Sequence, residues 1–197
     1  LFVKTYKEEI ELSVEVFLDA TASMGLPTAA KFERAAQLAL CLTYIGIAAG
    51  HQVRLSAIAP GAVQATPRYT HRGDIKRATE WAQAVRVGGQ IPMHEWVRRA
   101  LTTLRVRGGQ VLVISDGMVR PAEFFQAMHR LLMKHLEIKV IQVLTPQELH
   151  PAELMRTGQL IDSESGLTHE LGYSPAELAR AVAEHNEQLV RFCKRHG

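Results

Sequence analysis

The sequence predicts an α/β fold: a three-layer open sheet, mostly parallel with an antiparallel edge, and helices on both faces. Three short apolar runs read as buried strands, within residues 14–18, 110–115 and 136–144. Segments of helical periodicity separate them, and that alternation means a parallel sheet covered on both sides. A weaker run at residues 62–66, set off by Pro60 and Gly61, reads as the antiparallel edge.

Residues 1–11 start as a strand or an extended arm. Val14, Val16, Phe17 and Leu18 form the central strand, rich in β-formers. Pro27 and Thr28 announce a helix, Thr28 as N-cap or Pro27 near it. Its body, residues 29–49, is apolar nearly all round, which predicts burial on more than one face. Gly50 stops it. Residues 53–59 alternate in part and read as a strand. Residues 74–87 form a helix with Ile75, Ala78, Ala82 and Val85 on one face, and Gly88-Gly89 breaks it. Residues 93–104 form another, with Trp96, Ala100 and Leu104 inward. Gly108-Gly109 precedes the second buried strand. Pro121 opens a helix through residue 134, with Phe124, Phe125, Met128 and Leu132 as its core face. Residues 136–144 are a third continuous apolar strand. Residues 158–171 read as a hairpin turning at Gly166, with Asp162 and Glu164 beside the turn and facing water. Ser174-Pro175 caps a last helix, residues 176–194.

The 197 residues suit one domain, and 47% hydrophobic with 22% charged residues is a globular profile. A net charge of +3 is too mild for a nucleic-acid reader, which concentrates its Lys and Arg on one face. Aromatics at 6% are too sparse for a stacking platform. The longest apolar stretch, residues 35–49, is interrupted by Gln37 and Thr43 and falls short of the roughly 20 residues a membrane span needs. Cys41 and Cys193 form no CxxC; Cys41, in an apolar helix, reads as a small buried hydrophobe. A reduced, cytoplasmic setting is the simplest reading of two distant cysteines. The nine histidines are scattered without an H-E-x-x-H, so zinc is not indicated. A P-loop, a G-x-G-x-x-G and a G-x-S-x-G elbow are all missing from the sequence.

Chemistry concentrates in residues 14–24, V-E-V-F-L-D-A-T-A-S-M. Asp19 falls where the central strand gives way to a loop, with Thr21 and Ser23 at every second position after it. Ligands of open α/β sheets bind outside the carboxyl ends of the strands, so these oxygens stand where a site is expected. A carboxylate and two hydroxyls make a hard-cation donor set for Mg²⁺, or for Mn²⁺ or Ca²⁺. The second strand ends in Asp116, followed by Gly117. If the two strands are neighbours, Asp19 and Asp116 face each other across a crevice. Two bare carboxylates about 4 Å apart repel by about 4 kcal/mol at a protein-like dielectric, and a divalent cation removes that cost. The same residues also suit a plainer role: Thr21 and Ser23 as helix caps and Asp116 as a turn starter.

Asp19-Ala20-Thr21-Ala22-Ser23-Met24 resembles the metal-ion-dependent adhesion site of von Willebrand factor A domains, Asp-x-Ser-x-Ser followed by Met or a similar residue. Leu1-Phe2-Val3-Lys4, Glu8-Glu9, Ile114-Ser115-Asp116, Thr145-Pro146-Gln147-Glu148 and the segment from Leu160 to Gly166 occur in the order seen in a bacterial family. That family is the A-domain-like "domain of unknown function fifty-eight". The resemblance covers nearly the whole chain. It implies a single von Willebrand factor A-like, Rossmann-like domain over residues 1–197, expected to be a fragment, because family members commonly carry an upstream region, sometimes with membrane helices. Thr21 keeps the hydroxyl where the family has Ser. The family's separate metal Thr follows a Gly-Gly pair, but here Gly88-Gly89 is followed by Gln90, whose amide oxygen has a longer reach. Asp116 matches the family's second aspartate.

Resemblance to A domains implies a protein-binding module: a cation held by Asp19, Thr21, Ser23 and Asp116, with its shell completed by a carboxylate from a partner protein. The family also resembles proteins that work beside MoxR-type AAA+ ATPases in complex assembly or metal insertion. An enzyme is the alternative. The Asp-x-Thr-x-Ser pattern is similar to haloacid-dehalogenase-type phosphatases, Mg²⁺-dependent phosphoester hydrolases in which Asp19 would be the nucleophile. Those need a second Asp where Thr21 stands. A metal-free interaction scaffold is the third reading, and Gln90 is the reason for it.

Overall fold

Strand β1 (Ser13–Asp19) lies at the centre of the structure, a computed structural model that describes residues 11–104, 108–150, 159–161, 168–170 and 175–196. The chain continues through α1 (Ala30–Ala48), β2 (Gln52–Ile58), β3 (Gln64–Ala65), α2 (Ile75–Ala84), α3 (Met93–Thr103) and β4 (Gly109–Ser115). There follow α4 (Pro121–Leu132), β5 (Leu136–Gln142), the single turn α5 (Pro146–Leu149), β6 (Gln159–Ile161), β7 (Thr168–Glu170) and α6 (Pro175–His196). The main sheet runs β3-β2-β1-β4-β5. β2, β1, β4 and β5 are parallel, and β3 pairs antiparallel with β2 at the edge. β6 and β7 form a separate antiparallel ribbon, as the predicted hairpin requires. The extended arm at residues 1–10, the hairpin turn with Asp162 and Glu164, and the Ser174 cap lie outside the described residues.

Side chains alternate across β1, and each face meets its own core. Val14, Val16 and Leu18 pack with Met24, Ala35, Ala39, Leu55 and Ile114, beneath α1. Phe17 points the other way, into Trp96, Val97, Val113, Phe124 and Met128 from α3, β4 and α4. Trp96 meets Phe17 edge to face, with ring centroids 4.5 Å apart, and its indole N–H donates to the Ala57 carbonyl at 2.9 Å. Of the inward residues expected on and just after α2 and α3, Ala78, Ala82, Val85, Trp96 and Ala100 are buried, while Ile75 and Leu104 are half-buried.

Three expectations are corrected. Helix α1 buries one stripe rather than several faces: Lys31, Ala35, Ala39, Thr43 and Ile47, spaced four apart. A helix lying on one side of a sheet turns one stripe to it, so Ile45 stays 60% exposed and Tyr44 44% exposed. Cys41, on that outer side, is exposed rather than buried, and both cysteines are free thiols. β5, expected as a continuous apolar strand, is mostly half-buried: it lies at the edge of the sheet, and Glu137 and Lys139 are exposed on it.

The sequence reading passed over a charge inside the sheet. Glu15, 1% exposed, sits on β1 opposite Arg54 of β2. Its Oε1 accepts from Arg68 Nη2 at 2.6 Å, and its Oε2 lies 3.5 Å from Arg54 Nε. Burial raises the Glu15 pKa above its ordinary value, while both arginines oppose the rise. A carboxyl whose folded pKa is raised stabilises fully below its unfolded pKa and loses that contribution as pH rises through the folded value.

Two outcomes follow for stability. In urea unfolding followed between about pH 4 and pH 7, the Glu15→Gln variant loses the part of the pH slope in which stability falls as Glu15 ionises. Trp96→Ala lowers the unfolding free energy by about 3–5 kcal/mol in the same measurement, since it empties the joint between β1 and α3.

Candidate functional site

β1 and β4 are adjacent and in register, with Leu18 opposite Ile114, so their carboxyl ends open at one place. The chain leaves β1 for β2 on one side and returns to β4 on the other. That reversal of strand order makes the crevice in which doubly wound sheets hold ligands. Asp19 is the last residue of β1, and Asp116 directly follows the last residue of β4. Both are buried, 2% and 1% exposed.

Three donors converge on Asp19. Its Oδ1 accepts from the Thr21 backbone N–H at 2.9 Å and the Thr21 hydroxyl at 2.7 Å. Its Oδ2 accepts from the Ser115 hydroxyl at 2.6 Å. The Thr21 and Ser23 hydroxyl oxygens lie 3.2 Å apart. A single 3-10 turn over Ala22–Gly25, anchored by the buried Met24, sets this spacing. The Thr21 side chain makes no capping bond to that turn. Burial is the main cause that raises the Asp19 pKa, and the charge of Asp116 adds to it. The hydrogen bonds from Ser115 and Thr21 oppose the rise, and the result is pushed up to about 6.

Gly88-Gly89 lies alongside. Ala22 N–H donates to the Gly89 carbonyl and Gly88 N–H to the Ala20 carbonyl, each at 3.0 Å. Gln90 therefore leaves from a loop that flanks the Asp19 turn, on its exposed side.

Asp116 is held by different partners. Its Oδ2 accepts from Lys31 Nζ at 2.9 Å and its Oδ1 from Met118 N–H at 3.0 Å. Lys31, in the first turn of α1, has a fully buried side chain and also donates to Glu148 Oε1 at 2.6 Å. Glu148 belongs to a capping box: its Oε2 accepts from Thr145 N–H at 2.7 Å and from the Thr145 hydroxyl at 2.9 Å. From behind, Gln142 Nε2 donates to the Asp116 carbonyl at 3.0 Å and to Asn186 Oδ1 of α6 at 2.8 Å. His185 Nε2 donates to the Gly117 carbonyl at 2.8 Å.

Asp19, Thr21 and Ser23 are the residues that could hold a small divalent ion, although their oxygens are hydrogen-bonded to one another here. Oxygens about 2.1 Å from an octahedral centre are about 3.0 Å from their neighbours. The Asp19–Thr21 and Thr21–Ser23 oxygen separations, 2.7 and 3.2 Å, straddle that edge length. Among the described residues no three His, Cys, Asp or Glu cluster as a metal site, so an ion here would depend on hydroxyl oxygens.

The structure thus brings Asp19, Thr21, Ser23 and Asp116 to one crevice and puts Gln90 on its flank. Sequence reasoning missed Ser115, Lys31 and Glu148. Signals for the last two were a lysine in line with apolar positions spaced four apart and a Thr-x-x-Glu capping pattern.

The chain matches the family described as "Protein of unknown function DUF58" over residues 1–188. No curated protein matches it. Among solved structures it is similar to the conserved hypothetical protein BatB from Bacteroides thetaiotaomicron, at TM-score 0.53 and 14% identity, over 93% of this chain and 99% of that one. It is also similar to proximal thread matrix protein 1 from the mussel byssus, at TM-score 0.52 and 15% identity, over 93% of this chain and 48% of that one. The SpRpn10 VWA domain gives a TM-score of 0.49 at 13% identity, over 68% of this chain and 75% of its own. At such identities the first two likenesses speak for the fold alone.

The turn after Asp116 tolerates little change. Gly117 has φ +69°, and a Cβ there would come 2.9 Å from Leu189 Cδ1. Gly117→Ala therefore lowers the unfolding free energy by more than about 1 kcal/mol in urea titration, through strain and this contact together.

Proposed function

We propose that this chain, which belongs to the DUF58 family, is a protein-interaction module of von Willebrand factor A type that binds its partner through a divalent ion. The single observation that carries the reading is the buried Asp19 carboxylate with the Thr21 and Ser23 hydroxyls at octahedral-edge spacing, beside Asp116. Asp19, Thr21 and Ser23 would hold Mg²⁺, Mn²⁺ or Ca²⁺. Asp116 would add its charge, and Gln90 stands on the loop beside them. A bound ion supplies a positive centre that a carboxylate of a partner protein can complete. The family resemblance extends the proposal to a MoxR-type AAA+ ATPase as that partner, in complex assembly.

A hydrolase reading has less support. A phosphatase using Asp19 as nucleophile would need a general acid where Thr21 stands, and the Thr21 hydroxyl instead donates to Asp19. A metal-free scaffold is the second reading, favoured by Lys31, whose ammonium already accompanies Asp116.

Thermal unfolding with chelator and with Mg²⁺ or Mn²⁺ tests the ion. Ligand at a hundredfold excess over Kd stabilises the native state by about 2.7 kcal/mol, and Asp19→Ala is expected to lose that gain. Absence of a shift in the unmodified protein would overturn the ion-dependent reading.

A further inference from the structure

Lys31 is a charged residue on the one stripe of α1 that faces the sheet. It is 3% exposed, and its ammonium sits between Asp116 at 2.9 Å and Glu148 at 2.6 Å. A lysine buried this deeply is tolerated because it is paired twice. Asp19, on the neighbouring strand end, is satisfied by hydroxyls and a backbone N–H instead, with Ser115 and Thr21 as its partners. The crevice therefore has two halves. One is a carboxylate with hydroxyls, suited to an ion; the other is a carboxylate already served by a cation that belongs to the chain.

We infer that Lys31 is a tethered cation that limits the ion affinity of the crevice: its ammonium pairs with both Asp116 and Glu148 and offsets one of their two charges, so that a divalent ion draws chiefly on Asp19, Thr21 and Ser23. The inference rests on the ion-dependent reading of the site and adds how strongly that ion is held. Three carboxylates and one ammonium leave two formal negative charges for a divalent ion to balance. Removing the ammonium leaves three, and takes the donor away from Asp116 Oδ2 and Glu148 Oε1. Affinity is set by ligand charge, as it is among oxygen-donor calcium sites. A site so moderated exchanges its ion readily and gains most from a partner's carboxylate.

Calorimetric titration of Mn²⁺ into the unmodified protein and into Lys31→Met, with melting curves in Mn²⁺ and in chelator, tests this. Met keeps the length of the lysine stem and removes its charge. The expected result is Mn²⁺ binding at least tenfold tighter in Lys31→Met, with a larger ion-induced rise in Tm. Equal or weaker binding in the variant overturns the inference, as does no binding in either protein. Binding by Lys31→Met but not by the unmodified protein supports the inference and defeats the ion-dependent reading of the native chain, so the two fail separately. A second variant, Lys31→Met with Glu148→Gln, leaves only one carboxylate unpaired and is expected to tighten binding in the same direction. If neither variant folds even with Mn²⁺ present, Lys31 is a structural strut and the inference falls.

Discussion

In-register pairing of β1 with β4 is the constraint on which the rest of the site depends. It puts the carboxyl ends of two buried strands side by side, and each ends in an aspartate. Neither carboxylate reaches water, so each must be satisfied from within the protein. The chain meets that demand in two ways. Asp19 is met by Thr21 and Ser115, and Asp116 by Lys31 and Met118. Much of the local architecture serves those contacts: the short turn after β1, the burial of the first turn of α1, and the capping box that fixes Glu148.

Much of this was legible in the sequence, for physical reasons. Parallel strands buried on both faces leave continuous apolar runs, and those around Val16 and Val113 could not be mistaken for amphipathic elements. Alternation with helices then settled the layering, and the weak run ending at Thr66 marked the edge. Hydropathy misled where it cannot tell which neighbour a surface has. Tyr44 and Ile45 are as apolar as buried residues, yet they lie on the side of α1 turned away from the sheet. Residues 136–144 resemble an interior strand, but β5 closes the sheet with nothing described beyond it. Of the site, the oxygens of Asp19, Thr21 and Ser23 were readable because they are close in sequence. Lys31 and Asp116 are 85 residues apart, and nothing local announces their contact.

The chain belongs to the DUF58 family, and its parallel strands bring the loops that carry Asp19 and Asp116 to one end of the sheet. In this chain those loops carry the polar residues, while the two faces of the sheet are spent on packing. The proposed function therefore rests on how a few oxygens and one ammonium share a small space, and the same layered scaffold would support other chemistry if they were exchanged. Among the described residues no helix is long and apolar enough to cross a membrane.

The last helix grips the loop from behind. Gln142 spans the Asp116 carbonyl and Asn186, and His185 holds the Gly117 carbonyl. These bonds end on backbone atoms of the residues that carry and follow the carboxylate. Sliding or tilting α6 would thus reach the rim of the crevice, directly through His185 and by way of Gln142 on β5.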